Sequence, residues 1–183
     1  MKYSESIILV FILLFLVSAC KNNEVIGEKV VKTGSTVAFD YAAGFVNGTL
    51  FDTSIKDAAV KAGIFDPNRV YQPENVVIGQ DPLIPGLLEA LTGMKEGETK
   101  NVIIPPEKAY GARIENATNV VSKSIFDQPE QLRVGGIIVI NTPEGDRIPV
   151  FVKDLNQENV TIDQNHPLAG KTVQFAVIVR SIK

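Results

Sequence analysis

Apolar and polar positions alternate through much of the chain, but its first part is uniformly apolar. Residues 7 to 17 (IILVFILLFLV) contain no polar side chain, whereas residues 35 to 43 (STVAFDYAA) alternate as a half-buried strand does. Asn47-Gly48 is a strong signal for a tight hairpin turn, and residues 49 to 52 continue as a returning strand. The pattern therefore predicts an apolar leader followed by an antiparallel hairpin.

Two short helices are predicted after this hairpin. Residues 55 to 63 end in a glycine, as many helices do. Strand-like segments at residues 75 to 78 and 98 to 104 stand on either side of the second helix, and two prolines stop the later strand. The second helix, ending near residue 93, is predicted by four apolar residues with amphipathic spacing: Leu87, Leu88, Ala90 and Leu91.

Residues 113 to 165 differ from the preceding region in their residue pattern, and they predict a small strand-rich lobe inserted into that region. They contain two adjacent glycines at 135 and 136, an apolar run at 137 to 140, and a turn at 143 to 146. Further strands are predicted at 148 to 153 and 159 to 162. The chain then returns through Asn165-His166-Pro167-Leu168-Ala169-Gly170 to a long alternating strand at 172 to 182.

The apolar run at residues 7 to 17 is too short to cross a hydrocarbon core of about 30 Å as a helix. It suits the central part of a secretory signal, and Val17-Ser18-Ala19-Cys20 looks like a lipobox, in which the cysteine is lipidated and becomes the new N-terminus. We therefore expect a lipoprotein signal at residues 1 to 19 and a tether at residues 20 to 34, with an ordinary signal peptide as the alternative. The expected location is extracytoplasmic, anchored to the cell membrane by lipidated Cys20.

Composition excludes several classes of function. The 183 residues are 45% hydrophobic and 21% charged, as is ordinary for a globular protein, and nothing in them indicates more than a monomer. A net charge of −3 provides no basic patch, so nucleic acid is not an expected partner. A single imidazole cannot build a closed metal site, so we expect no metal and interpret the only histidine, His166, as structural.

Three motifs stand in an order that resembles the FKBP-type peptidyl-prolyl cis-trans isomerases. They are Phe51-Asp52 after the hairpin, Leu83-Ile84-Pro85-Gly86 before the second helix, and Ala109-Tyr110-Gly111 after the next strand. The resemblance covers residues 35 to 111 and 166 to 183. It implies an α+β fold in which a curved antiparallel β-sheet wraps around a short helix, with a proline-sized apolar pocket between them.

The resemblance also implies roles for individual residues. Asp52 and Tyr110 are the implied catalytic residues: Asp52 orients and polarises the site, and the Tyr110 hydroxyl reaches a substrate carbonyl. Asp52 is the one charge in this set that is expected to be buried. Taken singly, an aromatic residue on a strand is most often core, as Phe39 is expected to be. The implied substrate-binding residues are Tyr41, Phe51, Tyr71, Leu83, Ile84, Leu87 and Phe175.

The chain departs from the resemblance at two places. Leu87 stands where many members have a tryptophan, which leaves a shallower and less aromatic pocket floor. The usual flap is replaced by residues 113 to 165, which resembles the insert-in-flap arrangement of SlyD-like and archaeal members, where the insert binds unfolded chains as a chaperone. The implied organisation is an isomerase domain at 35 to 112 and 166 to 183, with a chaperone-like lobe at 113 to 165. The His- and Cys-rich tail of SlyD does not occur here, so nickel handling is not implied.

Rotation about an X-Pro bond breaks no covalent bond, so the implied reaction needs no nucleophile and no cofactor. Its barrier of about 18–20 kcal/mol comes from amide resonance. Charge separation across the amide falls as the bond twists, so a pocket that excludes water favours the twisted form. The backbone N–H of Ile84 and the hydroxyl of Tyr110 could hold the flanking carbonyls of unfolded or proline-containing polypeptides, which are the expected partners.

Two alternatives stay open from the sequence. The first is an FKBP-fold chaperone or binding lipoprotein without significant isomerase activity, and the missing aromatic side chain at Leu87 motivates it. The second is a small solute-binding lipoprotein, which would need a larger two-lobed body with a hinge. Turnover of an X-Pro peptide discriminates between the enzyme and both alternatives.

Overall fold

A computed structural model of the protein describes residues 29–141, 145 and 147–183. The predicted signal segment and Cys20 lie outside these described residues, as do three of the four residues of the turn predicted at 143 to 146. The chain divides into two compact units, one formed by the segment up to Ala109 together with Thr172–Lys183, and the other by Tyr110–Lys171. In the described parts of both units, no helix is long and apolar enough to cross a membrane.

Antiparallel strands and two short α-helices make up most of the regular structure in the described ranges. The helices are α1 (Lys56–Ala62) and α2 (Pro85–Leu91). The strands are β1 (Thr36–Phe45), β2 (Leu50–Thr53), β3 (Glu74–Val77), β4 (Thr99–Ile104), β5 (Thr118–Ser122), β6 (Ile137–Asn141), β7 (Arg147–Leu155), β8 (Asn159–Asp163) and β9 (Val173–Ile182). The α+β fold predicted from the sequence is confirmed.

The first unit is built on a five-stranded antiparallel sheet. Its strand order is β2-β1-β9-β4, and β3 pairs with the first half of β1. The long central strands β1 and β9 alternate as the sequence predicts, and residues such as Val37, Phe39 and Val177 are buried on them. Phe39 is thus a core residue, as expected.

The β1–β2 hairpin contains a bulge next to the predicted site. Ala43 pairs with Asp52 and Gly44 pairs with Leu50, so Phe51 is left without a partner on β1. The predicted turn is present: the Gly48 N–H donates to the Phe45 carbonyl at 2.8 Å. Because a bulge inserts one extra residue and bends its strand, it changes the direction in which neighbouring side chains point.

Helix α2 lies against β4 because a glycine permits a close approach. Leu87, Ala90 and Leu91 form its buried face. A Cβ atom added at Gly86 would lie 2.4 Å from Cγ2 of Ile104 on β4, closer than two carbon atoms can approach. Gly86 therefore fixes the distance between the helix and the sheet, and with it the position of Leu87.

We expect Gly86→Ala to destabilise the fold, although alanine is the better helix former. The added methyl group would overpack the buried and β-branched Ile104, and overpacking of this kind costs roughly 1–3 kcal/mol. The gain in helix propensity offsets at most about 1 kcal/mol of that. Urea unfolding should show a lower midpoint with an unchanged slope. Glu89→Ala is the control on the same helix, where the exposed pair with Lys108 contributes little. An unchanged midpoint for Gly86→Ala would contradict the close approach.

The predicted tether is too long at its C-terminal end. Val31 is buried, its N–H donates to the Met94 carbonyl at 2.8 Å, and the Gly93 N–H returns a bond to the Val31 carbonyl. The adjacent Val30 forms a bridge with Lys95. The two valines are apolar, and this contact removes the side chain of Val31 from water.

The second unit is a four-stranded antiparallel sheet with the order β5-β8-β7-β6. Its core consists of Val150, Val152, Val160 and Ile162. Strand β5 was not predicted, because its sequence TNVVS is short and half polar. The unit also includes the return segment that the sequence had assigned to the isomerase domain: the Gly170 N–H donates to the Gly111 carbonyl, and Ile114 and Asn165 exchange hydrogen bonds.

Candidate functional site

Three polar side chains of the first unit bond to one another beside its aromatic residues. The Tyr41 hydroxyl donates to Oδ2 of Asp52 at 2.7 Å, and Nη2 of Arg69 donates to the Tyr41 oxygen at 3.0 Å. Nη1 of Arg69 pairs with Oδ1 of Asp52. The Thr53 N–H also donates to Oδ1 at 2.8 Å. Strands β1 and β2 and the loop after α1 thus each contribute one member of this polar triad.

The electrostatics of the triad hold its groups in one protonation state. Burial, and then the Asp52 carboxylate, raise the pKa of Tyr41 above its ordinary value, while Arg69 opposes this more weakly. The hydrogen bond to Asp52 is the main reason that the pKa of Arg69 is also raised. Tyr41 is therefore a neutral donor and Arg69 a cation throughout the physiological range. Neither group is suited to proton transfer near neutral pH.

Asp52 is not the buried charge that the sequence predicts. Its side chain is 38% exposed, because Asp52 lies on the short strand β2 at the edge of the sheet. Among the described residues of this unit, the buried carboxylate is Asp40, whose side chain is 10% exposed and accepts from the Ser54 hydroxyl and from Nε of Arg180, both at 2.7 Å. Ser54 in turn accepts the Tyr41 N–H at 3.0 Å. The buried network thus supports the backbone beneath the triad.

Aromatic rings flank the triad on two sides. The ring of Phe175 lies 6.1 Å from that of Tyr41, with a tilted geometry. On the other side, the Arg69 guanidinium lies over the ring of Tyr71 at 5.3 Å, and Tyr71 stacks on Phe65 at 5.6 Å. The structure therefore brings Tyr41, Tyr71 and Phe175 into one cluster with Asp52.

The other substrate-binding residues predicted for this unit lie on neighbouring elements. Phe51, at the bulge, contacts Phe45 with a ring separation of 5.1 Å. Leu83 and Ile84 are half-buried and directly precede helix α2, where the Ile84 carbonyl accepts the Leu87 N–H at 3.0 Å. Leu87 is buried on the face of that helix. These positions agree with an apolar surface around the start of α2.

Tyr110 is the first residue of the second unit, and its ring is stacked in parallel on His166. The ring centroids are 4.4 Å apart and the planes differ by 10°. The edge of Phe151 completes the group at 5.3 Å from the His166 centroid. His166 thus packs among aromatic rings within its own unit, where it belongs to no group of possible metal ligands.

Sequence reasoning missed Arg69. It lies in a loop whose sequence pattern predicts neither helix nor strand, so hydrophobic periodicity did not indicate a role for this residue. The signal that could have found it is chemical: a carboxylate placed among aromatic side chains needs a charged or hydrogen-bonding partner. Across the described ranges, no cluster of three or more His, Cys, Asp or Glu side chains could hold a metal ion.

Comparison with known proteins shows which family the chain resembles. Residues 27–177 match the family described as FKBP-type peptidyl-prolyl cis-trans isomerase. The chain is 36% identical over 153 residues to the short-type peptidyl-prolyl cis-trans isomerase of Methanocaldococcus jannaschii, which covers 84% of this chain and 94% of that protein. It is 39% identical over 120 residues to the FKBP-type isomerase SlyD of Treponema pallidum, covering 66% and 68% of the two chains.

Proposed function

The chain belongs to the FKBP-type peptidyl-prolyl cis-trans isomerase family and is a peptidyl-prolyl cis-trans isomerase; from that premise we propose that it assists the folding of exported proteins at a membrane surface. In this proposal the apolar surface around Tyr41 and Phe175 turns X-Pro bonds, and the β6 edge of the second unit holds unfolded segments, as in the insert-in-flap type. The observation that carries the proposal is an open, apolar strand edge beside a groove in the second unit.

Exclusion of water is the proposed source of the rate acceleration. Water solvates the separated charges of the planar imide well, and the twisted transition state has less charge separation. Aromatic and aliphatic side chains around Tyr41 and Phe175 offer the imide no such solvation. A group that binds the twisted form better than the planar form lowers the barrier without any covalent step.

The polar groups have a positioning role in this mechanism. The triad holds the Tyr41 ring in place through its hydroxyl, and Arg69 also covers Tyr71. We assign the N–H of Ile84 to a substrate carbonyl beside the proline, and we keep for the Tyr110 hydroxyl the substrate contact that the family resemblance implies. Asp52 orients the triad and transfers no proton. Leu83, Leu87 and Phe51 contribute apolar surface around the ring of the bound proline.

The proposed holding site for unfolded chains is a groove in the second unit. It has a volume of about 740 Å³ and is lined mainly by apolar side chains, together with a few amide side chains and one carboxylate. It is lined by Ile125, Phe126, Asp127, Gln128, Gln131, Leu132, Ile137, Ile138, Val139, Ile140 and Asn141. A groove of this size suits several side chains of an extended peptide.

Strand β6 offers backbone groups along one side of this groove. Val152 N–H donates to the Gly136 carbonyl at 2.9 Å, so the pairing alternates from there. By that alternation, Ile138 and Ile140 bond to β7, and the N–H of Val139 points to the open edge. Pro149, opposite Val139, has no N–H and agrees with this register. An extended apolar segment could therefore add to β6 as a further strand.

The apolar side chains of β6 also suit such a client segment. Ile137 and Val139 are more than half exposed, while Ile138 and Ile140 pack on the core of the unit. An uncharged, apolar and exposed edge strand is normally avoided, because it pairs with other chains. Its presence here is expected if pairing with unfolded chains is the function of this unit.

Export and anchoring rest on the N-terminal sequence. The apolar run at residues 7 to 17 and the small residues before Cys20 support a lipoprotein signal. A helper that uses only binding and bond rotation would work in a compartment without ATP. Mass spectrometry of the mature protein should find an N-terminal Cys20 carrying lipid. A mature chain with an unmodified Cys20 thiol would overturn the anchor.

A further inference from the structure

The imidazole of His166 has a defined orientation in the second unit. One face stacks on Tyr110 at 4.4 Å, and Phe151 meets the ring edge-on at 5.3 Å. Nδ1 accepts the N–H of Leu168 at 3.1 Å. An imidazole nitrogen that accepts a hydrogen bond carries no proton, so this geometry requires the neutral ring with its proton on Nε2.

The segment that carries His166 is tied to the backbone next to Tyr110. The Ala169 N–H donates to the His166 carbonyl at 2.8 Å, which closes a turn, and the Gly170 N–H donates to the Gly111 carbonyl at 2.8 Å. The ring stack and this backbone bond therefore hold residues 110–111 and 166–170 together at two points. Moving the imidazole would move the ring of Tyr110.

We propose that His166 is a positioning residue for Tyr110, and that its neutral imidazole keeps the tyrosine ring in the orientation that catalysis requires. The inference rests on the proposed role of Tyr110 at the substrate. Protonation would place a second N–H donor opposite the Leu168 N–H, where the neutral ring has an acceptor. The ring would then have to leave this position, and Tyr110 would lose the surface on which it is stacked.

The strand paired with that of Phe151 carries an ion pair. Opposite Phe151 on the paired strand is Asp163, which accepts from Arg113 at 3.1 Å and from the N–H of Asn165. Burial alone would raise the pKa of Asp163, but the bonds from Asn165 and Arg113 outweigh it and lower the pKa, so this carboxyl stays ionised. Lys153, also on β7, is exposed. Burial lowers the pKa of His166 itself.

The sign of the expected pH effect follows from that lowered pKa. The folded protein favours the neutral imidazole, so His166 stays neutral at pH 7 and above and takes up a proton only on acidification below its ordinary value of about 6.5. Because bond rotation transfers no proton, the reaction has no pH dependence of its own. A decrease in kcat/KM at low pH would therefore come from a titrating group of the protein.

Turnover of an X-Pro peptide by the full chain, followed by NMR exchange spectroscopy between pH 5 and pH 8, tests the inference without a coupling protease. We expect kcat/KM of the wild type to fall about three- to tenfold on acidification, the size of effect that one lost hydrogen bond gives. His166→Phe keeps a planar ring and should retain most of the turnover with a flat profile. His166→Asn keeps an acceptor near the Nδ1 position but has no ring, and should be uniformly low. A flat wild-type profile, or wild-type turnover in a folded His166→Asn variant, would overturn the inference.

A second background separates this inference from the role proposed for Tyr110. In Tyr110→Ala, His166→Asn should add no further loss, because the imidazole acts only through the tyrosine ring. An additional loss in that background would overturn the positioning role. Wild-type turnover in Tyr110→Ala alone would instead refute the role of Tyr110. The chain has one histidine, so its single imidazole resonance gives a direct signal, and that resonance should shift when a proline peptide saturates the wild type.

Discussion

Asp52→Ala is expected to lower kcat/KM for an X-Pro peptide about ten- to hundredfold, equivalent to about 1.4–2.7 kcal/mol. The substitution removes the acceptor of the Tyr41 hydroxyl and the ion-pair partner of Arg69. The guanidinium would then lie beside Tyr71 without its counter-ion and would bring water to the aromatic cluster. The measurement is turnover of the peptide at pH 7.5 under subsaturating conditions.

Two variants make this result specific to the triad. Asp52→Asn keeps the size of the side chain and one acceptor oxygen but loses the charge, so its turnover should lie between the wild type and Asp52→Ala. Asp57→Ala removes an exposed carboxylate in the first turn of α1 and should stay within about twofold of the wild type. Equal turnover of Asp52→Ala and wild type would show that the triad has no part in catalysis.

Val139→Pro is expected to abolish the suppression of aggregation while peptide turnover stays close to that of the wild type. The N–H of Val139 faces the open edge, so its replacement by proline removes no bond to β7. The proline ring would occupy the place where a client strand pairs. Light scattering of a chemically denatured protein during refolding measures the effect. The comparison uses the molar ratio at which the wild type fully suppresses aggregation of the client. At that ratio we expect the suppression by Val139→Pro to be at least about tenfold weaker, because both the backbone bond and the adjacent contacts are lost.

Val120→Pro is the matched control, on the other edge of the same sheet. Bonds from Gln164 N–H to Ala117 and from Lys123 N–H to Glu158 set the alternation of β5, so the Val120 N–H also faces outward. Val120 is 67% exposed and Val139 is 52% exposed. The β5 edge does not line the groove, so Val120→Pro should keep wild-type suppression. Equal activity of the two proline variants would exclude β6 as the holding edge.

Most of the strands and both helices could be predicted from local patterns. Strong alternation marks β1 and β9, and Gly63 ends α1 with a positive φ of 71° as its sequence indicates. The misses are elements whose sequence has little periodicity. Strand β5 is five residues long and half polar, so its pairing with β8 decides its structure, and that pairing lies about 40 positions away in the chain.

The site was predictable only in part, for a related reason. Tyr41, Asp52 and Phe175 lie on strands whose order matches a known family, and the structure brings them together. Arg69 reaches them from an irregular loop, and no local pattern specifies where a loop side chain points. The exposure of Asp52 was likewise not evident, since it depends on which strand forms the edge of the sheet.

The stack of Tyr110 on His166 illustrates the same limit. The two residues are 56 positions apart in the sequence, and their contact depends on how the second unit brings its two ends together. A lone histidine gave reason only to exclude a metal site. Its neutral state and its ring partner are properties of the folded unit.

In the proposed mechanism an apolar pocket accelerates X-Pro rotation without a reactive group. Its most direct test is the slow, proline-limited refolding phase of a test protein, which takes about 10–100 s without a catalyst. With the purified chain at a tenth of the concentration of the test protein, the rate constant of that phase should rise in proportion to the amount added. If the rate constant of that phase stays at its value in buffer alone, even at equimolar amounts, catalysis by an apolar pocket is contradicted.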